Sequence, residues 1–148
     1  KFENSADEEI VRLVDTNITS AILLLKRLIP RLLNAKRPQI VLTGSTSGLR
    51  QSGSPEVAFG ASKFALRGIA DALREGFREA RLAVTCLQIG DLNTDDELSV
   101  PIAEACERGR GTLIPMHDVV DLTRALLKIS SSSYVNEITV PPILDNRF

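Results

Sequence analysis

The sequence predicts an α/β fold in which helices alternate with three parallel strands. Three observations lead to this prediction: three short apolar runs of strand length, apolar residues at helical spacing between them, and glycine, serine or proline at most boundaries. The element order is αβαβαβ. Strands separated by helices pair in parallel through right-handed crossovers. Because three strands make a small sheet with edges to cover, we expect part of a larger doubly wound domain.

A long first helix is predicted over residues 6–35. Ser5, followed three residues later by Glu8, has the form of a capping box. Pro30 lacks a backbone donor, so we predict an interruption of the helix at that residue. The apolar residues at helical spacing are Ile10, Leu13, Val14, Ile18, Ala21, Ile22, Leu25, Leu28, Ile29 and Leu32.

The remaining boundaries follow from prolines, glycines and serines. Pro55 suits the first turn of a helix, and Gly44 and Gly90 each end an apolar run. In order, the sequence predicts a strand at 39–43, a Ser/Gly-rich loop at 45–54, a helix at 55–80, a strand at 82–89, a polar connection at 90–111 with a short helix near 99–108, a helix at 119–130 and a strand at 135–140.

Composition excludes several classes of function. The 148 residues suffice for one domain or a piece of one, with 43% apolar and 25% charged residues. A net charge of −1 gives no pull toward nucleic acid or a membrane surface. The longest apolar run, residues 21–25, is far too short to span a membrane. Cys86 and Cys106 lack metal-like spacing, and residues 95–97 have no further ligands nearby, so we expect no metal and a reducing, cytoplasmic compartment.

Strand ends nominate a site. In open α/β sheets, ligands bind beyond the carboxyl ends of the strands. Ser45 lies just past the first predicted strand and Gly90 just past the second. The helix that carries Phe59 and Lys63 begins in the crossover between them, so we expect all four residues to border one crevice.

Four segments resemble the active-site half of the short-chain dehydrogenase/reductase family. They are Val14-Asp15-Thr16-Asn17, Gly44-Ser45-Thr46-Ser47-Gly48, Phe59-Gly60-Ala61-Ser62-Lys63 and Asn136-Glu137-Ile138-Thr139-Val140-Pro141. The signature of that family is a tyrosine and a lysine four residues apart, with a serine upstream at a strand end. The resemblance spans nearly the whole chain and implies a partial Rossmann-like sheet.

The resemblance also implies an activity and a set of roles. The family consists of NAD(P)-dependent oxidoreductases that act on a carbonyl or hydroxyl group of a small molecule. Ser45 matches the serine that hydrogen-bonds the substrate oxygen, and Asn17 matches an asparagine that supports a proton relay. Lys63 matches the lysine that lowers the tyrosine pKa and holds the cofactor ribose. Gly90 and Thr94 match cofactor-binding positions, with Thr94 facing the nicotinamide amide.

The departures from the family concern the proton donor and the cofactor. Phe59 stands at the tyrosine position and has no ionisable proton, so it cannot act as a general acid or base. Three origins of Phe59 are open: a natural pseudo-active site, an engineered change, or a homologue that uses another acid. Ile89 replaces the usual proline. The family's Gly-rich βαβ half is missing, so we expect residues 1–148 to form a single, incomplete domain.

One segment offers an alternative interpretation. Residues 43–49 also look like the family's cofactor loop, which follows a strand. The third glycine of that loop would be Arg50, however, and a helix does not begin at once. The spacing to Phe59 and Lys63 fits the placement of the family's serine instead.

Two functional hypotheses follow. The first is an oxidoreductase of this family whose present chain has little or no turnover and, without the Gly-rich loop, a weakened site for NAD or NADP. The second is a non-catalytic oligomerising or binding module. Family members dimerise through their two long helices, so we expect a homo-oligomer through helices 6–35 and 55–80, with no nucleic-acid or membrane partner.

Overall fold

The computed structural model describes residues 2–50 and 52–146 and confirms the predicted α/β class. In chain order the elements are α1 (Asp7–Val14), a π-helical turn (Asp15–Thr19), α2 (Ser20–Leu32), β1 (Gln39–Thr43), α3 (Val57–Gly76), β2 (Ala83–Ile89), β3 (Leu92–Asn93), α4 (Ile102–Gly109), β4 (Ile114–Pro115), α5 (Met116–Lys128) and β5 (Glu137–Val140). Strands β1, β2 and β5 form one parallel sheet in that order, with β2 at its centre.

Two layers of helices enclose this sheet. On one face, α2 and α3 pack against a core that includes Leu25, Ala70, Leu82, Val84 and Cys86. On the other face, residues of α5 pack against Leu87, Ile89 and Ile114. Because both faces are covered, β2 is buried along nearly its whole length, as expected for a central parallel strand.

A second, two-stranded parallel sheet was not predicted. It pairs Leu92 with Ile114 and Asn93 with Pro115. Each strand has only two residues, which is too short for any periodicity to appear in the sequence. The predicted polar connection at 90–111 therefore contains β3 as well as α4.

The first helix is interrupted at a different place from the one predicted. The π turn at Asp15–Thr19 breaks the α-helical pattern, whereas α2 continues through Pro30 and ends at Leu32 rather than at 35. Pro30 is exposed, so water can solvate the carbonyl that loses its donor. The capping box was also wrong: Ala6 is the N-cap residue, and no side chain caps the helix.

The other boundaries differ by a few residues. Helix α3 occupies Val57–Gly76 within the predicted 55–80, and α5 begins at Met116 rather than at 119. Beyond α3 the chain turns back through Arg81, whose φ of 56° is left-handed. Within residues 2–50 and 52–146, none of the helices has the length and apolar character needed to cross a bilayer.

Candidate functional site

Lys63 lies in α3 beside the carboxyl end of β1. Its Nζ donates a hydrogen bond to the carbonyl oxygen of Thr43 at 3.3 Å. The same ammonium lies 5.5 Å from the centroid of the Phe59 ring, one helical turn earlier, in cation–π geometry. Burial lowers the pKa of the Lys63 ammonium below its usual range.

Ser45 opens a tight turn that packs directly onto α3. Its side-chain oxygen accepts a hydrogen bond from the backbone N–H of Ser47 at 3.1 Å. Gly48, at the end of the turn, comes so close to α3 that an added Cβ would lie 2.7 Å from the carbonyl carbon of Lys63. This glycine therefore lets the turn and the helix meet, which brings Ser45 and Lys63 to one edge of the sheet.

Asn17 joins this site through a residue that sequence reasoning missed. Its Nδ2 donates to the Oγ of Ser62 at 2.9 Å, and that hydroxyl donates to the carbonyl oxygen of Phe59 at 2.7 Å. Ser62 is fully buried. Asn17 belongs to the π turn, and π turns are frequent at functional sites. The described bond of its side chain goes to Ser62, not to Lys63.

A buried polar network behind Ser45 was also missed. Gln88 is fully buried in β2; its Oε1 accepts from the backbone N–H of Ser45 at 3.0 Å, and its Nε2 donates to Glu137 at 2.9 Å. Arg67 of α3 binds the same carboxylate through two nitrogens, at 2.8 and 3.2 Å. The sequence signal was a glutamine within a mostly apolar strand, since a buried amide needs partners.

Gly44 shows how closely this network fits the backbone. A Cβ at Gly44 would lie 2.1 Å from the Oε1 of Gln88. Only a residue without a side chain leaves room for the glutamine to reach Ser45. The glycine that ends β1 and the glutamine in β2 therefore form a matched pair.

The predicted cofactor-binding positions after β2, Gly90 and Thr94, make their described hydrogen bonds to neighbouring backbone. The backbone N–H of Gly90 donates to the carbonyl oxygen of Val140 at 2.9 Å, and an added Cβ would lie 2.5 Å from Cδ of Pro142. Thr94 is exposed, and its N–H donates to the carbonyl of Leu92 at 3.1 Å. No hydrogen bond in the described part of the chain joins Gly90 or Thr94 to Lys63 or Ser45.

The chemistry of the site follows from its donors. Ser45 offers a hydroxyl and Lys63 an ammonium at the carboxyl ends of parallel strands, where a polar oxygen of a ligand can be bound. Phe59 places an apolar ring beside the ammonium. These side chains can hold and polarise a ligand, but Phe59 cannot exchange a proton with it.

Comparison with known proteins gives the family. The family model described as short chain dehydrogenase matches residues 1–102. An uncharacterized oxidoreductase from Myxococcus xanthus is 28% identical over 119 residues, which cover 78% of this chain and 43% of that protein. The chain thus spans less than half the length of this curated relative.

Solved structures give the fold. An alcohol dehydrogenase from the archaeon Thermococcus sibiricus, complexed with 5-hydroxy-NADP, superposes with a TM-score of 0.80 at 16% identity, over 99% of this chain and 59% of that one. A 4-hydroxyisoleucine dehydrogenase complexed with NADH gives a TM-score of 0.74 at 20% identity, over 95% and 61%. These structures confirm the partial Rossmann-like sheet, and the family model matches well over half of the residues. The chain therefore belongs to the short-chain dehydrogenase family.

Proposed function

We propose that this chain carries the substrate-binding half of an NAD(P)-dependent oxidoreductase site for a small carbonyl or alcohol, and that it has little or no turnover as it stands. The observation that supports the proposal is the Phe59 ring, 5.5 Å from the Lys63 ammonium. In this family a phenol at that place would exchange the proton. A phenyl ring keeps the packing and loses the acid.

The remaining residues have roles in binding and positioning. Ser45 would donate its hydroxyl to the substrate oxygen, and Asn17 would fix the first turns of α3 through Ser62. Lys63 uses one N–H for Thr43, which leaves two donors for the hydroxyls of a ribose. Thr94 would hold the nicotinamide amide beside Gly90. NAD or NADP, when bound, supplies or accepts the hydride.

The test is Phe59→Tyr, with Lys63→Met in the same background as the matched control. We expect no turnover of a carbonyl panel with NADH or NADPH by the unchanged chain. Phe59→Tyr restores the missing acid, so any activity gained should vanish in the double variant. Steady-state absorbance of the reduced nicotinamide measures both.

Binding and chemistry are separated by titrating each variant with NADH and NADPH and following nicotinamide fluorescence. Saturable binding that Lys63→Met weakens would support a cofactor site in this chain. Robust turnover by the unchanged chain would overturn the proposed inactivity. Phe59 has no proton to exchange, so such turnover would require a different acid.

The second candidate function is a non-catalytic homo-oligomer, and apolar residues of α2 support it. Ile22, Leu23, Leu24 and Leu28 are 47, 46, 56 and 42% exposed. Leu24 and Leu28 are one helical turn apart and share a face of α2, and an exposed apolar patch can mark an interface. The outer edge of β1 also carries no strand in the described sheet, which favours association. We propose that the long helices 6–35 and 55–80 carry the interface.

Sedimentation at micromolar concentration tests this assembly. The unchanged chain should sediment as an oligomer, and Leu24→Glu combined with Leu28→Glu should sediment as a monomer. Lys26→Glu, on the same helix but at an already charged position, is the control and should leave the oligomer intact. A monomeric unchanged chain would count against the proposal.

We propose the cytoplasm as the compartment. Cys86 and Cys106 are both free thiols, which supports a reducing environment. Burial raises the pKa of the Cys86 thiol to about 11, so this cysteine is protonated and poorly reactive at neutral pH.

A further inference from the structure

A cationic cleft lies at the amino-terminal end of the sheet, opposite the site described above. It has a volume of about 310 Å³ and opens between the segments that lead into β1, β2 and β5. Its lining contains five cations, three serines, one tyrosine and no carboxylate: Lys36, Arg37, Arg74, Arg78, Arg81, Ser131, Ser132, Ser133 and Tyr134, with Pro38, Leu82 and Ala83 at its base. Five cations around one cleft contrast with a chain whose net charge is −1.

Two of the five cations are free within the described part of the chain. Arg37 donates to backbone carbonyls at the end of α5, Arg74 to a carbonyl of β2, and both Arg74 and Arg78 pair with carboxylates of α3 that lie outside the lining. The side chains of Lys36 and Arg81 have no described hydrogen bond or ion pair. Their charges are therefore available to a ligand.

Arg81 occupies a backbone position that favours glycine. Its φ of 56° lies in the left-handed region, which a side chain adopts at an energetic cost. Arg110 has a similar φ of 50° outside the cleft, so what distinguishes Arg81 is that it also lines the cleft.

The carboxyl ends of nearby helices explain only some of the five cations in the cleft. The carboxyl ends of α2, α3 and α5 lie near the cleft, and each carries about half a negative charge that nearby cations offset. Glu79 adds a further carboxylate close to Arg78. Helix ends do not explain why the two unpaired cations, Lys36 and Arg81, line the same cleft as three serines and Tyr134.

We propose that this cleft binds a small ligand that carries two or more phosphate groups. Guanidinium groups bind phosphate oxygens through paired N–H donors, and the serine hydroxyls add neutral donors. Cations that approach from separate segments suit a tetrahedral, multiply charged anion better than a flat carboxylate. Tyr134 is 50% exposed and its ring already lies 6.0 Å from the Arg74 guanidinium, so it offers an apolar wall.

The cleft is a separate site from the one that holds Ser45 and Lys63. Strand β2 has seven residues, and a strand rises about 3.3 Å per residue, so roughly 20 Å of strand separates its two ends. The proposal is independent of the reaction proposed above. NADH and NADPH also contain a diphosphate, so the two sites are told apart by variants: Lys63→Met should weaken NADH binding and leave pyrophosphate binding unchanged.

Inorganic pyrophosphate is the probe, titrated into the unchanged chain by calorimetry and by amide chemical shifts at physiological salt. We expect saturable binding, with shifts confined to residues 36–38, 74–83 and 131–134. Lys36→Gln combined with Arg81→Gln should weaken the affinity at least tenfold. Arg12→Gln combined with Lys26→Gln removes the same two charge types from exposed positions outside the cleft and should leave binding unchanged.

Arg81→Gly separates binding from folding. Glycine relieves the left-handed strain, so this variant should keep or raise the thermal midpoint while it weakens pyrophosphate binding. Absence of saturable binding by the unchanged chain, or an equal loss in the control pair, would overturn the proposal. Equally tight binding of succinate would overturn the assignment to phosphate, and binding of an acidic protein without pyrophosphate would replace the small ligand with a macromolecular partner.

Discussion

The two ends of strand β2 bury their side chains equally well but by different means. Toward α3, the amino-terminal part presents Val84 and Cys86, which are 0 and 1% exposed in an apolar core. The carboxyl-terminal part of the same face presents Gln88, also 0% exposed, whose amide is bonded to Ser45 and Glu137. Apolar packing is non-directional, whereas a hydrogen-bonded amide fixes its partners in place.

Apolar side chains and the buried amide of β2 therefore have different roles: the first stabilise the fold, and the second positions the Ser45 turn. Burying an apolar side chain stabilises the fold by the area it removes from water. Burying an amide brings no comparable gain, because its new hydrogen bonds mostly replace those with water. Gln88 therefore contributes chiefly by placing the Ser45 turn, and on this face of the sheet the apolar stabilisation comes mainly from the amino-terminal part of β2.

The largest expected effect lies in the apolar half. Leu82 is 4% exposed, and Leu82→Ala should lower the free energy of unfolding by about 2–5 kcal/mol because it leaves a cavity. Leu127, which is 54% exposed, is the control, and Leu127→Ala should cost less than about 0.5 kcal/mol. Urea unfolding followed by circular dichroism measures both. Similar losses for the two variants would contradict the assignment of stability to this core.

The second effect tests the fit between Gly44 and Gln88. Gly44→Ala would place a Cβ 2.1 Å from the Oε1 of Gln88 and should cost about 1–3 kcal/mol. In a Gln88→Ala background the same change should cost far less, since the atom it meets is gone. The double-mutant cycle measures this coupling.

Gly68 is the control for that cycle. An added Cβ there meets nothing within 4 Å, so Gly68→Ala in mid-helix should stabilise by about 0.5–1 kcal/mol in both backgrounds. Additive effects for Gly44 and Gln88 would show that the two residues do not constrain each other, and the positioning role of Gln88 would fail.

A smaller effect is expected for Ser62, which links α3 to the π turn. Ser62→Ala leaves the Asn17 amide without its described acceptor and should cost about 0.5–1.5 kcal/mol. Backbone amides of residues 15–19 should exchange faster with solvent, while those of β2 keep their protection. Ser99→Ala, which removes an exposed hydroxyl, is the comparison. Unchanged exchange at 15–19 would contradict the link.

The smallest effect concerns the pH dependence of Lys63. Burial lowers its pKa below the ordinary value of 10.5, so between the two values the folded protein holds fewer protons than the unfolded chain. The stability of the unchanged chain should therefore rise with pH in that interval. Lys63→Met should raise the free energy of unfolding by less than about 1 kcal/mol at pH 7. This difference from the unchanged chain should disappear as the pH nears 10.5. Lys26→Met is the exposed control, and a gain that stays constant with pH would exclude the burial effect.

The periodicity of the sequence predicts the helices and strands, whereas contacts between residues far apart in the sequence could not be predicted. The three strands and their parallel order follow from apolar runs and helical spacing, and the strand ends brought Ser45 and Lys63 together. The π turn was invisible, because its apolar residues keep a spacing of three or four. The partner of Gln88, Glu137, is separated from it by 49 positions, and only the sheet brings the two together.

The π turn at Asp15–Thr19 has a consequence for how this helix tolerates changes in length. A π turn holds about one residue more than an α turn. Deleting one residue within it would yield a continuous α-helix whose two halves keep their faces, because the turn already absorbs the extra residue. A deletion elsewhere in α1 or α2 would instead rotate one half against the other by about 100°. Such a rotation would turn Leu25 and Ile29 away from the core, so the π turn is the one stretch of this helix pair where losing a residue leaves that core in place.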